Sequence, residues 1–168
     1  MIRIDITKVF EEVERLKPRT VFIVTPDGLL KEAVRLASTL GASGVEVVLS
    51  GEACYGACDL KEDAAESIKA DLILHIGHTL REERAGKKTV FIAVEDDIEF
   101  NRVIEKAAQS LRRFKKIGLY TISQHLHRLS ETKKLFEDYG FEVKSDEGGR
   151  LSYGQIIGCE FQPAYSIK

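Results

Sequence analysis

Three cysteines are the residues of this chain most able to do chemistry, and glycine-rich turns carry them. Cys54 and Cys58 lie in the segment 50–60, directly after an apolar run typical of a strand, and Cys159 ends the segment Gly154-Gln-Ile-Ile-Gly-Cys159. A cysteine just past a strand and beside glycines can expose its sulfur, and a bulky group can then approach the backbone. Two such turns indicate a shared thiolate site.

Cys58 and Cys159 are the expected metal ligands because they occupy equivalent places in the chain. Soft thiolates select iron–sulfur clusters, zinc or copper(I). A cluster normally takes about four ligands, so another segment, another chain or a substrate must complete the site. Position 61 is Lys61, so the ordinary radical-SAM loop Cys-x3-Cys-x2-Cys is absent and Cys54 is expected to be structural or accessory. The alternative is that these cysteines are small hydrophobic residues without chemistry.

The histidines are weaker candidates. His75 and His78 are three residues apart, and residues three apart in a strand face opposite sides. They should therefore not bind one metal together unless the chain turns at Gly77. His75, inside an apolar run, is expected to be a hydrogen-bonded core residue, and His78 a polar group at the rim of a cleft. His125 and His127 are expected at the surface.

Three further residues beside the cysteines could contact a ligand. Gln155 offers a donor and acceptors that could hold a carboxylate or an amide. Gly56 and Gly158 permit unusual backbone angles and close ligand approach. Asp59 has a plain structural interpretation, the N-cap of the helix that follows it.

Apolar periodicity predicts alternating strands and helices. The predicted strands cover 20–24, 45–49, 71–76, 89–94, 117–122 and 141–144, and the predicted helices cover 5–16, 29–40, 61–69, 98–114 and 124–139; 80–87 is a charged loop. This alternation predicts an α/β fold with parallel sheets, in which functional groups lie at the carboxyl ends of strands. The turns that hold Cys58 and His78 both have that position.

The pattern occurs twice and predicts two small α/β domains, 1–97 with Cys58 and 98–168 with Cys159. The second domain is expected to be incomplete, because only nine residues follow Cys159, whereas the first continues well beyond Cys58. We therefore expect a fragment, or a shortened form, of a longer protein.

Composition narrows the class of protein. The 168 residues are 43% hydrophobic and 31% charged, with a formal net charge of −2. This balance gives no reason to expect nucleic-acid binding or a membrane-surface patch, and no apolar run approaches the roughly 20 residues of a membrane span. Three cysteines argue against a disulfide framework. A cytoplasmic protein is expected.

Three motifs occur in order at domain-sized spacing: Tyr55-Gly-Ala-Cys-Asp59, Leu74-His-Ile-Gly-His-Thr79 and Gly154-Gln-Ile-Ile-Gly-Cys159. Together they resemble the diphthamide synthase radical-SAM subunit of the archaeal homodimeric type, and the resemblance covers the whole chain. It implies three similar α/β domains around a cleft, each giving one cysteine to a 4Fe–4S cluster. It also implies that S-adenosylmethionine binds the iron that has no cysteine.

The implied reaction is the first step of diphthamide synthesis. An electron donor reduces the cluster, and the reduced cluster cleaves S-adenosylmethionine. A 3-amino-3-carboxypropyl group is then added to a histidine of translation elongation factor 2. By resemblance, Cys58 and Cys159 are the ligands of the first and second domains, and Gly56, His78, Gln155 and Gly158 line the cleft. The third-domain cysteine has no counterpart, so the chain is a fragment, or Cys54 substitutes, or a partner completes the site.

Two other functions stay open on the residues alone. One is a non-catalytic α/β scaffold that binds a structural metal or a nucleotide. The other is a thiol-based redox or interaction domain that uses Cys54 and Cys58.

Overall fold

The computed structural model describes residues 2–80 and 88–165. They form two compact units, one from Arg3 to Val94 and one that begins at Glu95. The first unit holds helices α1 (Ile6–Leu16), α2 (Leu30–Ala42) and α3 (Glu62–Ser67) and strands β1 (Arg3–Ile4), β2 (Thr20–Val24), β3 (Glu46–Leu49), β4 (Leu72–Ile76) and β5 (Thr89–Ile92), and a short strand β6 (Val94–Glu95) lies at the boundary. Across the described residues, no helix combines the length and apolarity that a membrane crossing would require.

The first unit is built on a four-stranded parallel sheet in the order β3-β2-β4-β5. The predicted α/β fold with parallel strands is confirmed. Strand β2 lies between β3 and β4, so β3 is added on one side of β2, and β4 and β5 are added on the other side. In sheets of this kind the crevice at the carboxyl ends of such strands is where ligands bind. The turns that follow β3 and β4 both leave from this edge.

Both faces of this sheet are buried, and that burial explains the nearly continuous apolar runs of its central strands. One face, with Ile23 and Leu74 at its centre, packs against α1 and α2 through Val9, Leu36 and Leu40. The other face presents Phe22, Val24 and Ile73 to Ala65, Ala70 and Cys54. Side chains alternate along a strand, so His75 lies on the second face, in step with Ile73. This geometry brings β4 and the cysteine turn together.

Local signals account for the ends of α1. Its N-cap is Asp5, whose carboxylate accepts a hydrogen bond from the Lys8 backbone N–H at 3.1 Å. This cap satisfies one of the backbone donors that a helix start leaves free. The helix ends at Leu16, and Lys17 follows in the left-handed conformation, with its N–H donating to Val13. The predicted helix over 5–16 is therefore confirmed to within one residue.

The second unit contains a two-stranded parallel sheet. Its elements are α4 (Asn101–Leu111), β7 (Lys116–Gly118), α5 (Leu129–Asp138), β8 (Glu142–Lys144) and α6 (Gln162–Tyr165), with a 3-10 helix over Ser123–Arg128. Strands β7 and β8 pair in parallel, and α5 lies between them in the chain. The core of this unit is made by Ile104, Ala108, Phe136, Phe141 and Val143.

Several element boundaries differ from the sequence prediction. The strand predicted to reach residue 122 ends at Gly118, and Thr121 forms only an isolated bridge with Gln155. The helix predicted over 124–139 begins as a 3-10 turn, and β1 and α6 were not predicted. Strand β5 ends at Ile92, and the Ala93 carbonyl that follows accepts a hydrogen bond from the Asp5 N–H. Most of the predicted charged loop, 81–87, lies outside the described residues.

Candidate functional site

Cys58 is the third residue of a tight turn. The Asp59 N–H donates to the Gly56 carbonyl at 3.0 Å and closes the turn. The Asp59 carboxylate accepts from the Tyr55 N–H at 3.3 Å and pairs with Lys61 Nζ at 3.2 Å. The prediction that Asp59 caps α3 is wrong: among the described residues no side chain caps this helix, which Lys61 precedes in the left-handed conformation. The Asp59 carboxylate is used to close the cysteine turn.

The Cys58 sulfur is accessible. The residue is exposed, and a Cβ atom placed on Gly56 would lie 3.9 Å from Cys58 Sγ, so the glycine leaves that side of the thiol open. An open cavity of about 510 Å³ adjoins it, and charged side chains contribute to its lining. A thiolate here could be approached by a group much larger than water. Residue type and exposure therefore fit a cluster ligand at Cys58.

Cys159 occupies the same kind of turn in the second unit. The Glu160 N–H donates to the Ile157 carbonyl at 3.1 Å, so Cys159 is again the third residue of a hydrogen-bonded turn. The acidic residue after it again pairs with a base, here Arg150 Nη2 to Glu160 Oε2 at 3.1 Å. Cys159 is exposed, and no described atom lies within 4 Å of a Cβ placed on Gly158. The two turns thus match in the hydrogen bond that closes them, in cysteine position and in the ion pair of the following acidic residue, and the Cys159 turn has a second bond from the Ile157 N–H to the Glu160 carbonyl.

Gln155 is fully buried in the second unit. Its Oε1 accepts from the Ser152 N–H at 3.1 Å, and its backbone bridges to Thr121. These contacts indicate that Gln155 shapes the loop that leads to Cys159. Contact between the Gln155 amide and a cofactor stays a prediction, as do the ligand contacts of Gly56, His78 and Gly158.

A second cluster of donor atoms lies beside the Cys58 turn. Gly77 has a φ of +92°, so the chain turns at the end of β4 and brings both histidines towards Cys54. Cys54 Sγ lies 3.5 Å from His75 Nε2 and 3.8 Å from His78 Nδ1. The chain therefore does turn at Gly77, which was the condition under which His75 and His78 could face the same point. Sequence reasoning did not place Cys54 beside the two histidines, and the glycine after the strand was the signal that could have revealed these contacts.

Burial sets the protonation of this cluster. Desolvation, reinforced by neighbouring His78, lowers the pKa of His75 to about 4. Desolvation also lowers the pKa of His78, against the opposing charge of Asp59, and burial raises the pKa of the Cys54 thiol. His75 is buried as predicted, and its Nε2 has Cys54 Sγ as a hydrogen-bond partner, whereas its Nδ1 has none among the described residues. Each neutral imidazole keeps one lone pair.

The two remaining histidines, His125 and His127, differ in how exposed they are. His127 is exposed, as expected. His125 is not a simple surface residue: its Nδ1 lies 3.1 Å from Asp96 Oδ1, and its ring packs edge-on against Phe100 with centroids 5.1 Å apart. Its surface assignment was therefore wrong. This pair lies among the residues of the second unit and contributes to the packing there.

The fold and the matched turns define an α/β protein with exposed thiols presented in repeated turns. The model of the diphthamide synthesis protein family matches residues 25–167. The chain belongs to this family, as the sequence motifs predicted.

Known proteins agree with this assignment. The chain is 33% identical to the 2-(3-amino-3-carboxypropyl)histidine synthase of Pyrococcus horikoshii over 94% of its own length and 47% of that protein. It is 28% identical to subunit 1 of the Nematostella vectensis enzyme over 92% of its length and 34% of the relative. The crystal structure of Dph2 from Pyrococcus horikoshii with a 4Fe–4S cluster superposes with a TM-score of 0.91 at 31% identity, covering all of this chain and 51% of that one. The chain thus spans about half or less of the relatives it matches.

Proposed function

We propose that this protein takes part in the first step of diphthamide biosynthesis, as a 2-(3-amino-3-carboxypropyl)histidine synthase or a part of one. The reaction is reductive cleavage of S-adenosylmethionine and transfer of its 3-amino-3-carboxypropyl group to a histidine of translation elongation factor 2. The family match, the activity for which the relatives are named and the 4Fe–4S cluster bound by Dph2 from Pyrococcus horikoshii support this proposal.

The matched turns of Cys58 and Cys159 are the observation that carries the proposal. Each presents an exposed sulfur as the third residue of a hydrogen-bonded turn, with a glycine nearby and an acidic residue directly after it. Thiolates on exposed turns are the ligands that iron–sulfur clusters require. A repeated device of this kind is expected where two domains each give one ligand to a shared group.

Cys58 and Cys159 would hold a 4Fe–4S cluster, with a further thiolate from elsewhere in the protein or from a partner. When bound, such a cluster would supply the electron that opens a carbon–sulfur bond of S-adenosylmethionine. Gly56 and Gly158 keep the approach to the two sulfurs open, and His78 and Gln155 are proposed to line the site. The ion pairs made by Asp59 and Glu160 hold the two turns in place. An electron donor and a second copy of the chain are the proposed partners besides the elongation factor.

Anaerobic reconstitution with iron and sulfide tests the ligand assignment. Iron and acid-labile sulfide would be measured in the wild-type chain and in Cys58→Ala, Cys159→Ala and Cys54→Ser, with EPR spectra after dithionite. We expect a 4Fe–4S content in wild type that is lost in the first two variants and retained in Cys54→Ser. Addition of S-adenosylmethionine should then change the EPR spectrum, because the open iron gains a ligand.

Two results would count against the proposal. One is a correctly folded wild-type chain that takes up no cluster even when an excess of a small thiol supplies the missing thiolate. The other is a cluster that survives in both Cys58→Ala and Cys159→Ala, because its ligands would then lie elsewhere. Far-UV circular dichroism of each variant shows that a loss of iron does not come from unfolding.

A further inference from the structure

Cys54 and His75 have no part in the proposed reaction. Together with His78, which is proposed to line the iron–sulfur site, they form a group whose three donor atoms all lie within 4.8 Å of one another. Three separate pieces of the first unit build it. Cys54 comes from the turn between β3 and α3, His75 from the last part of β4, and His78 from the turn after Gly77. The sulfur and the two imidazoles converge on one point beside the buried sheet face.

The two sulfur–nitrogen distances match the edges of a metal tetrahedron. With a Zn–S bond of about 2.3 Å, a Zn–N bond of about 2.0–2.1 Å and a tetrahedral angle, sulfur and nitrogen ligands lie about 3.5 Å apart. The observed distances from Cys54 Sγ are 3.5 Å to His75 Nε2 and 3.8 Å to His78 Nδ1. Cys54 therefore needs to move by only a few tenths of an ångström relative to each imidazole. The two imidazole nitrogens lie within 4.8 Å of each other, and binding one ion would bring them to about 3.3 Å.

Hydrogen bonding alone explains the arrangement less well. A thiol has a single proton, so Cys54 can donate to only one of the two imidazoles, and sulfur is a weak acceptor for the other. A metal ion uses all three donors at once. One thiolate and two imidazoles form a mixed sulfur and nitrogen set of the kind that binds zinc.

We propose that Cys54, His75 and His78 bind one zinc ion, at a site that uses neither of the two iron–sulfur ligands Cys58 and Cys159. Cys54 and His75 are buried and His78 is half-buried, so a fourth ligand, such as water, can enter from the His78 side. The ion would tie the turn that carries Cys58 to the end of β4. The role of the site is to hold this turn in shape.

The test uses the chain prepared without iron or sulfide. After treatment with a chelator, zinc binding is measured by competition with a chromophoric chelator, and Co²⁺ replaces zinc for absorption spectroscopy. We expect one zinc per chain, with tetrahedral Co²⁺ bands and a thiolate-to-cobalt charge-transfer band. Cys54→Ser should abolish the charge-transfer band, and Cys54→Ser and His78→Gln should each weaken zinc binding by about 100-fold or more, because one of three protein ligands is lost.

Matched variants distinguish the proposed zinc site from the proposed iron–sulfur site. Cys58→Ser and Cys159→Ser should keep the cobalt spectrum and zinc affinity of wild type, although both are expected to lose the iron–sulfur cluster. Equal zinc affinity in wild type and His78→Gln would overturn the zinc site, as would a cobalt spectrum that disappears in Cys58→Ser. His78→Gln is the main variant because a half-buried residue tolerates substitution better than His75, which is fully buried. Thermal melting without metal checks that each variant is folded.

Discussion

At the residue scale, the fold places three chemically identical cysteines in two different environments. Cys58 and Cys159 are exposed in matched turns, whereas Cys54 is 8% exposed and faces two imidazoles. Thiol reactivity requires both access and the thiolate form, and burial opposes both for Cys54. The exposed pair is suited to bind a large external group, and the buried one is suited to an internal site.

This difference predicts the order in which the thiols react. In the metal-free chain under reducing conditions, Cys58 and Cys159 should be alkylated at least about tenfold faster than Cys54, which must wait for local opening of its turn. Peptide mapping by mass spectrometry after timed labelling gives the three rates. Unfolding in guanidinium should make the rates equal. Labelling of Cys54 as fast as Cys58 in the folded chain would contradict the buried position.

At the scale of elements, the turn after β4 depends on one glycine. Gly77 has a positive φ, and a Cβ atom there would lie 2.7 Å from Leu29 Cδ1 and 3.5 Å from Pro26 Cδ. Backbone conformation and close packing both therefore select glycine. The same turn directs His78 back to Cys54, so the geometry of the Cys54, His75 and His78 group depends on the backbone at Gly77, directly after β4.

Gly77→Ala should destabilise the first unit by about 1–3 kcal/mol through strained backbone and the contact with Leu29. It should also weaken zinc binding, because His78 is displaced. Guanidinium unfolding followed by circular dichroism measures the free energy of unfolding. The matched control is Gly51→Ala, since Gly51 has no positive φ and no described atom near the added Cβ. A change of the same size in both variants would show that Gly77 has no special role.

At the scale of the whole molecule, the two units differ in the sheets around which they fold. The first unit has four parallel strands, of which β2 and β4 are central and buried on both faces. The second has two strands of three residues each, of which only Val143 is buried. Local opening is easier where backbone hydrogen bonds are few and exposed. The first unit should therefore be the better-protected support for its cysteine turn.

Hydrogen exchange followed by mass spectrometry tests this difference. Amides of β2 and β4 should exchange most slowly, and those of β7 and β8 should exchange clearly faster, because a two-stranded sheet is marginal without further packing. Peptides from α5, which packs on the core of the second unit, serve as an internal comparison. Protection in β7 and β8 equal to that in β2 would contradict the expectation.

The sequence was sufficient for features that depend on local pattern. Strand β2 was predicted with its observed ends because a buried parallel strand is a continuous apolar run. The family followed from three short motifs, and both exposed cysteines were expected from the glycine-rich turns that carry them. Boundaries in the second unit were less predictable, because β7 ends at Gly118, before its apolar run ends, and Thr121 then pairs with Gln155 in an isolated bridge.

The tertiary structure alone decided which polar groups meet. Cys54 and His75 are 21 residues apart in the chain, and their contact depends on how the cysteine turn lies on one face of the sheet. The Arg150–Glu160 pair, which completes the match between the cysteine turns, joins residues ten apart across a loop. Periodicity encodes which face of an element is apolar, but not which side chains of different elements converge. The sequence by itself therefore determined the fold class, the family and the exposed thiols, and the packing of the folded chain determined the donor cluster.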